Sequence, residues 1–298
     1  MSAMKEKIYI PASVHGMCGG VFSALKTLEE FTAEHGEVYV FRELVHNRAV
    51  TERFTEKGVH FVSRAEDIPD GAAVVIGAHG VGAELEKFLR GKASVCRDAT
   101  CPLVKKLHRI AASLSPDRQL LICGKSGHPE VIGIAGNSGT PHIHVVSSAE
   151  DAAALPELSA PEFLSQTTMD HGEVEKLLTI LKARFPEMRV HSGVCDASRT
   201  RQKAVIELAK RCDLILVIGS AHSSNAKRLQ EIAERQGRKA FLLDNADELP
   251  EAELERASVV GVTSGASTPE YLFSAVTEAL ERRGFRRGGD EASGTPRT

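Results

Sequence analysis

Residues 7–31 read KIYIPASVHGMCGGVFSALKTLEEF. A short β-rich run leads into a glycine-rich turn, and an amphipathic run follows the turn. This order predicts a strand, a turn and a helix. Cys18 lies in the turn among Gly16, Gly19 and Gly20, and glycines let the backbone approach a bulky group closely. The stretch therefore predicts a strand and a helix with a cysteine at their junction.

The same alternation of β-rich and amphipathic runs continues along nearly the whole chain. Many β-rich runs are unbroken apolar runs, which is typical of parallel strands covered on both faces. The predicted strands are KIYIP, EVYVF, VHFV, AAVVIGA, ASVC, QLLICG, IHVV, FLSQ, DLILVIG, AFLLD and SVVGVT. The predicted helices are VFSALKTLEEFTAEHG, NRAVTERFTEKG, PLVKKLHRIAASL, EVEKLLTILKARF, RQKAVIELAKRC and NAKRLQEIAERQG. The pattern favours an α/β fold with mostly parallel sheets.

Three cysteines recur at a coarse period in this pattern. Cys18, Cys101 and Cys195 each lie where a strand passes into a helix, 83 and 94 residues apart. We therefore predict three small α/β units that present three strand ends to one central site, because ligands of open parallel sheets bind beyond the carboxyl ends of the strands. The predicted parts are 18–100, 101–194, 195–284 with the N-terminal strand 6–17 joined to it, and a disordered tail 285–298.

Composition limits the function classes. The chain has 298 residues, 42% of them hydrophobic, which is enough for more than one core, and its formal net charge is −3. Without a basic excess, nucleic-acid binding is disfavoured. No apolar run approaches the ~20 residues needed to cross a bilayer, and the first residues resemble neither a signal peptide nor a transit peptide. We expect a cytoplasmic protein that binds neither nucleic acid nor membrane.

The six cysteines fall into two groups. Cys96, Cys123 and Cys212 lie in or beside apolar runs and are interpreted as small buried side chains. The other three precede helix starts, where thiolates, the metal-binding form, are stabilised. Three thiolates from distant segments suit an iron–sulfur cluster with one iron that lacks a protein ligand. The alternative is that all six are buried thiols, since no C-x₂-C pair is present.

Polar residues recur at most other predicted strand ends. Small hydroxyl residues and glycines that lead into helix N-termini are typical of phosphate sites, and histidines add donors. The simpler alternatives are structural histidines and helix caps. Glu130 is either a proton donor, if burial raises its pKa, or a first-turn carboxylate. The candidates are His46, His79, His128, Glu130, Thr167, Thr168, His222, Ser223, Ser224, Asn225 and Ser267.

At these residues the chain resembles the 4-hydroxy-3-methylbut-2-enyl diphosphate reductase family, also called LytB. The resemblance runs from Lys7 to about Leu280, nearly the whole chain. None of the motifs would suffice alone, but their number and order make the resemblance specific. The motifs are GMCGGV, ELVHNRAV, PDGAAVVIGAHGV, DATCPLVKKLH, GHPEV, SQTT, CDASRTRQ, GSAHSSNAKRL and GVTSGAS.

The resemblance implies a trefoil of three α/β units around one [4Fe–4S] cluster. Cys18, Cys101 and Cys195 match the three cluster ligands, so that one iron stays open. Glu130 matches the proton-delivering residue and Thr167 the residue near the substrate hydroxyl. The positions that match the diphosphate contacts are His46, His79, His128, Ser223, Ser224, Asn225 and Ser267, with His128 also counted among the catalytic residues.

The implied reaction is reductive dehydroxylation of an allylic diphosphate to isopentenyl and dimethylallyl diphosphate, the last step of the methylerythritol phosphate pathway. The sequence has no flavin or nicotinamide fingerprint, so electrons must come from outside. In this family a ferredoxin or flavodoxin is the expected donor.

Some residues near the candidate ligands depart from the family pattern. His15 adds a titratable group before Cys18, and the other departures are Met17, Gly19, Ser198 and His222. Altered surroundings of a metal centre can change its rate, potential or substrate. Two alternatives therefore stay open: a paralogue with the same cluster chemistry on another substrate, and a non-catalytic iron–sulfur sensor. A sensor would need neither Glu130 nor Thr167.

Overall fold

The computed structural model describes residues 6–191 and 193–288, and its strands are all paired in parallel. The chain divides into two compact units. One is Cys18–Arg199, and the other joins the N-terminal stretch up to Met17 to the stretch from Thr200 onward. Three parallel sheets with helices confirm the predicted α/β class. None of the described helices is long and apolar enough to cross a membrane.

The strands are β1 (Ile8–Pro11), β2 (Val38–Phe41), β3 (Val59–Val62), β4 (Ala73–Ile76), β5 (Val95–Asp98), β6 (Leu120–Cys123), β7 (Ile143–Val146), β8 (Glu162–Ser165), β9 (Arg189–Val190), β10 (Leu214–Ile218), β11 (Lys239–Leu243), β12 (Val259–Ser264) and β13 (Arg286–Arg287). The helices are α1 (Gly19–His35), α2 (Arg48–Thr55), α3 (Ala83–Lys92), α4 (Pro102–Ala112), α5 (Pro129–Gly136), α6 (Ala149–Ala154), α7 (His171–Arg184), α8 (Asp196–Ala209), α9 (Ser224–Arg235), α10 (Glu251–Arg256) and α11 (Glu270–Arg282).

The Cys18–Arg199 unit contains two four-stranded sheets. Their strand orders are β3-β2-β4-β5 and β7-β6-β8-β9. The central strand β6 is buried along its whole length, as expected for a parallel strand covered on both faces. Its residues belong to two apolar clusters, one with Leu107 and Ile134 from α4 and α5 and one with Leu178 and Leu181 from α7. These packed helices fix the loops that follow the strands.

The other unit contains one sheet in the order β11-β10-β12-β1-β13. The N-terminal strand β1 lies between β12 and β13, which follow it by some 250 residues in sequence. Ile215, Val217 and Leu229 belong to the core that forms between this sheet and its helices. Two strands from the C-terminal part of the chain, β12 and β13, therefore pair with the N-terminal strand β1 to complete this sheet.

The predicted division into three units, with its boundaries, stays a prediction. Within the proposed tail 285–298, Arg286 and Arg287 pair with β1 as strand β13, and residues 289–298 lie outside the described part of the chain. The three cysteines interpreted as structural behave differently from one another. Cys123 and Cys212 are buried in apolar clusters, whereas Cys96 is only partly buried at the edge of another cluster.

A close contact between two glycines holds the loop after β4 against α5. A Cβ atom added at Gly136 would lie 2.9 Å from the Cα atom of Gly82, so backbone would have to move. We expect Gly136→Ala to lower the free energy of unfolding by about 1–3 kcal/mol, the usual cost of overpacking. The control is Gly91→Ala in α3, where an added Cβ meets no atom within 4 Å. It should be neutral or stabilising by up to about 1 kcal/mol. Equal urea-unfolding midpoints for both variants would contradict this packing.

Candidate active site

Each of the three predicted cysteines lies directly before a helix. Cys18 caps α1, and its Sγ accepts a hydrogen bond from the Val21 N–H at 3.5 Å. Cys195 precedes α8, and its Sγ accepts the Ser198 N–H at 3.4 Å, with the Ser198 Oγ 3.2 Å away. Cys101 precedes α4, whose first residue is Pro102. Helix N-termini favour negative charge, so this placement suits thiolates.

The three sulfur atoms are neighbours within the Cys18–Arg199 unit. Gly20 lies between two of them, because a Cβ added there would be 2.7 Å from the Cys101 Sγ and 3.9 Å from the Cys18 Sγ. Burial raises the pKa of Cys101 and of Cys195, and the charges of the neighbouring cysteines raise both further, while hydrogen bonds from the helix starts lower them. A bound metal would offset this cost, since thiolate is the ligand form.

Two backbone hydrogen bonds connect the cysteines to the loops that carry the other candidates. The Cys101 N–H donates to the Ala78 carbonyl at 3.0 Å, directly before His79. The Cys195 N–H donates to the Thr167 carbonyl at 3.1 Å. Backbone hydrogen bonds therefore join two of the cysteines to the polar strand ends within this unit.

Glu130, the one carboxylate among the candidates, is deeply buried, with 1% of its surface exposed. Its Oε1 accepts the Thr167 N–H at 2.7 Å, and its Oε2 lies 3.0 Å from the Thr167 hydroxyl, which donates to it. Burial raises the pKa of Glu130 to about 7, although both bonds from Thr167 lower it. A carboxyl group with this pKa can hold and release a proton near neutral pH.

Three histidine rings lie together in the same unit. The ring centroid of His79 lies 4.7 Å from that of His46 and 5.6 Å from that of His128. Burial, followed by the charges of neighbouring histidines, lowers the pKa of His79 well below its usual range and that of His128 to about 4. The rings of His79 and His128 are therefore neutral at pH 7.

One hydrogen bond fixes the tautomer of His128. Its Nδ1 accepts the backbone N–H of Glu130 at 3.1 Å, so the ring proton of the neutral form is on Nε2. The Nδ1 of His46 lies 2.8 Å from the Glu43 carboxylate. One ring nitrogen from each of the three histidines lies within 4.8 Å of the others. Such a cluster can bind a metal ion or direct N–H groups at an anion.

The remaining predicted diphosphate residues belong to the other unit. Ser223 caps α9 and accepts the Ala226 N–H at 3.3 Å, and Ser224 is the first residue of that helix. The Asn225 Oδ1 accepts the Ala266 N–H at 2.9 Å, which brings the loop with Ser267 to the same strand ends. Ser223, Asn225 and Ser267 are buried. A helix start with adjacent hydroxyl groups suits a phosphate.

The structure thus forms two groups of candidates. The cysteines, histidines, Glu130 and Thr167 lie in the Cys18–Arg199 unit, and the serines with Asn225 lie in the other. Among the altered positions, His222 is exposed. His15 belongs to the unit that contains α9 and α11. Its ring stacks on Phe273 with 4.0 Å between the ring centroids, and its Nδ1 lies 3.0 Å from the Ala12 carbonyl oxygen.

Two residues of the site were not predicted from the sequence. Glu43 pairs with His46, and the three-residue spacing in ELVH is the only signal that could have indicated it. Gln166 is buried, accepts the Lys125 N–H at 3.0 Å and donates to the Thr168 hydroxyl at 2.8 Å. It connects the loop before His128 to the loop of Thr167. No sequence pattern shows the direction of a loop side chain.

The pKa of Glu130 can be measured directly. In ¹³C-glutamate-labelled protein, the carboxyl signal that Glu130→Gln removes should titrate with a midpoint near 7. The matched control is Glu162, which is also buried; burial alone would raise its pKa, but hydrogen bonds from His191 and Arg118 outweigh burial and lower it. The two signals should therefore titrate on opposite sides of the ordinary value. A Glu130 midpoint near 4.5 would contradict the effect of burial.

Comparison with known proteins identifies the family to which the chain belongs. The family model described as "LytB protein" matches residues 9–281. A relative in Streptomyces coelicolor is 40% identical over 96% of this chain and 86% of its own. A relative in Desulfotalea psychrophila is 40% identical over 92% of this chain and 88% of its own. Both are named 4-hydroxy-3-methylbut-2-enyl diphosphate reductase.

Two solved structures are also similar. The E-1-hydroxy-2-methyl-but-2-enyl-4-diphosphate reductase of Plasmodium falciparum has a TM-score of 0.89 and 28% identity, over 98% of this chain and 95% of that one. A structure of (E)-4-hydroxy-3-methyl-but-2-enyl diphosphate reductase, described as the terminal enzyme of the non-mevalonate pathway, has a TM-score of 0.66 and 30% identity, over 92% and 99%. With the family model matching nearly the whole chain, this protein belongs to the LytB family.

Proposed function

We infer that the chain is a 4-hydroxy-3-methylbut-2-enyl diphosphate reductase, which converts its substrate to isopentenyl and dimethylallyl diphosphate at the end of the non-mevalonate pathway. The observation that carries this conclusion is a buried Glu130, bonded twice by Thr167, in the same unit as three cysteine sulfurs at helix starts. A structural protein has no need of a proton carrier beside a metal-binding set of thiols.

The cofactor we propose is one [4Fe–4S] cluster held by Cys18, Cys101 and Cys195, with one iron left open. The residues fit it, because the three sulfurs are neighbours and the missing side chain of Gly20 leaves room beside two of them. N–H groups at the helix starts compensate the thiolate charge. When bound, the cluster supplies single electrons and a Lewis-acidic iron.

Glu130 holds the proton that the reaction requires. Loss of a hydroxyl group as water needs protonation, because hydroxide is a poor leaving group. With a pKa of about 7, Glu130 is protonated in a large part of the molecules at neutral pH. When Glu130 is protonated, the hydrogen bond between its Oε2 and the Thr167 hydroxyl, 3.0 Å apart, can run from Glu130 to Thr167, and the Thr167 hydroxyl can then donate its own proton to the substrate hydroxyl.

We propose that the two groups of polar residues bind the diphosphate. In the Cys18–Arg199 unit, His128 presents its Nε2–H, and His46 and His79 lie beside it. These rings bind the anion as hydrogen-bond donors, and burial keeps His79 and His128 neutral, so binding does not require acid pH. In the other unit, Ser223, Ser224, Asn225 and Ser267 supply hydroxyl, amide and helix-start donors.

The reaction consumes two electrons and two protons for each hydroxyl group released as water. The sequence carries no flavin or nicotinamide motif, so we propose that a ferredoxin or flavodoxin supplies the electrons one at a time. The site keeps the allyl fragment in place through its diphosphate while the electrons arrive.

Anaerobic turnover tests the proposed function. After reconstitution with iron and sulfide, reduced methyl viologen should be oxidised only when 4-hydroxy-3-methylbut-2-enyl diphosphate is added, and both five-carbon diphosphates should form. A bound cluster without turnover would favour the alternative that the protein is a non-catalytic iron–sulfur sensor. Turnover of another allylic substrate alone would favour a paralogue with the same cluster chemistry.

Iron content distinguishes the two classes of cysteine. We expect Cys18→Ser, Cys101→Ser and Cys195→Ser each to lose the cluster or the activity, because each removes a thiolate ligand. Cys96→Ser, Cys123→Ser and Cys212→Ser should keep the iron, although the latter two place a hydroxyl in an apolar core. Iron and sulfide analysis after anaerobic reconstitution measures this. Equal losses in all six variants would refute the ligand assignment.

Glu130→Gln should separate binding from chemistry. The amide preserves the shape of the side chain but carries no proton to donate, so we expect kcat to fall by about 10²-fold or more while substrate binding is retained. In the wild-type enzyme kcat should decline as pH rises through about 7, where Glu130 loses its proton. Stopped-flow viologen assays with Glu162→Gln as the control measure both effects. Unchanged turnover would exclude Glu130 from the mechanism.

A further inference from the structure

Ser198 is one of the residues that depart from the family pattern, and the proposed function gives it no role. It lies in the first turn of α8, three residues after the proposed ligand Cys195. Two of its polar groups contact the Cys195 sulfur. Its backbone N–H donates to Sγ at 3.4 Å, and its hydroxyl oxygen lies 3.2 Å from Sγ. Side chain and backbone of Ser198 are therefore both directed at this sulfur.

The hydroxyl group of Ser198 is enclosed by protein. Only 1% of the surface of this residue is exposed, so water competes little for the hydroxyl proton. When Cys195 is a thiolate, its sulfur has no proton, and the hydroxyl is the donor in the contact between Oγ and Sγ. A hydrogen bond to a charged acceptor is roughly twice as strong as one between neutral groups. The contact with Ser198 is therefore strongest when the sulfur carries the most negative charge.

The other two proposed ligands have different surroundings. The Cys18 sulfur accepts one backbone N–H at 3.5 Å. The Cys101 thiol receives hydrogen bonds from the backbone N–H groups of Leu103 and Val104. Within the described part of the chain, Cys195 is the one proposed ligand whose sulfur has a side-chain hydroxyl as a hydrogen-bond partner. The donors around the three sulfurs are therefore unequal.

Cys195 is also connected to the residues that hold the proton. Its N–H donates to the Thr167 carbonyl at 3.1 Å. Burial raises the pKa of Cys195, and the charge of Glu130 raises it further, so this carboxyl group lies near the sulfur. The hydroxyl of Ser198 therefore acts on the sulfur that stands beside the proton carrier.

We propose that Ser198 is a positioning residue that raises the reduction potential of the cluster through the bond of its hydroxyl to the Cys195 sulfur. This inference rests on the proposed function, which places a one-electron centre on three thiolates. Gain of an electron adds negative charge to the centre and its sulfur ligands, so the bond from the hydroxyl strengthens on reduction. Hydrogen bonds to the sulfurs are among the features that set such potentials.

The step is a transfer of one electron at a time. The external carrier loses one electron and the centre gains it, while Ser198 keeps its proton and only its hydrogen bond shortens. A higher potential makes each of the two transfers in a turnover more favourable. The hydroxyl thereby assists reduction without contacting the substrate, which is the role of a residue that acts through a ligand.

The midpoint potential of the reconstituted protein tests the proposal. It is measured by anaerobic redox titration without substrate, followed by the EPR signal of the reduced centre. Ser198→Ala removes the hydroxyl and keeps the backbone N–H. We expect it to shift the one-electron equilibrium by about three- to tenfold toward the oxidised form, and a tenfold shift is a potential lower by about 59 mV.

Two control variants separate the hydroxyl bond from other effects of substitution. Ser198→Thr retains a hydroxyl at the same place, so its potential should match that of the wild type. Thr140→Ala removes another buried hydroxyl of the same unit, one that donates to the carbonyl groups of Pro116 and Arg118 and to no sulfur. Its potential should also be unchanged.

The outcomes are distinct. A lower potential in Ser198→Ala alone supports the proposal. An unaltered or higher potential in that variant, or an equal fall in either control, overturns it. If Ser198→Ala takes up no cluster, Ser198→Val is titrated against Ser198→Thr, which has the same shape. Loss of the cluster in both variants without a hydroxyl shows an effect on assembly and overturns the proposal.

The titration contains no substrate, so it is independent of the reductase assay. A shifted potential without substrate turnover refutes the proposed reaction and still supports the role of Ser198. A wild-type protein that binds no reducible cluster overturns the proposed cofactor and this inference together.

Discussion

Backbone N–H groups at three helix starts point at three cysteine sulfurs, and the site depends on this interaction. Negative sulfur is costly to bury, so each thiolate needs a helix N-terminus or a metal to stabilise it. The first turns of α1 and α8 supply N–H donors to Cys18 and Cys195. Each cysteine lies directly before its helix, and strands β5 and β9 end a few residues before Cys101 and Cys195. The strand ends with His79 and Thr167 are then bonded to Cys101 and Cys195 through the backbone.

Two buried carboxylates of the same unit differ in pKa because their hydrogen-bond partners differ. Glu130 and Glu162 are both buried carboxylates, but only Glu162 meets cationic partners, so their pKa values move in opposite directions. Glu130 thereby holds a proton near neutral pH, while Glu162 stays ionised within a structural ion cluster. His79 and His128 remain neutral because they are buried together. The arrangement gives one proton carrier beside neutral donors, which suits a reaction on an anionic substrate.

Much of this could be predicted from the sequence, because unbroken apolar runs and glycine stops indicate parallel strands and helices. The two-residue strands β9 and β13 were missed, since two residues carry no pattern. The start of helix α5 was expected at Glu130, but its extent was not predicted because the helix is short and contains two glycines. Helix α11 was not predicted although Leu272, Val276 and Leu280 recur at helical spacing. The contacts of Gly20 with Cys101 and of Glu130 with Thr167 join distant segments, and a single sequence does not show such pairings.

Mössbauer spectroscopy of the ⁵⁷Fe-reconstituted protein, with and without 4-hydroxy-3-methylbut-2-enyl diphosphate, tests the central claim most directly. If three thiolates hold the cluster and one iron is open, about a quarter of the iron signal should change when substrate is added, while the rest keeps its thiolate-ligated parameters. The Glu130→Gln variant should show the same change, because it binds substrate without turning it over. A spectrum that substrate leaves unaltered, or iron in sites of equal ligation, would contradict the account.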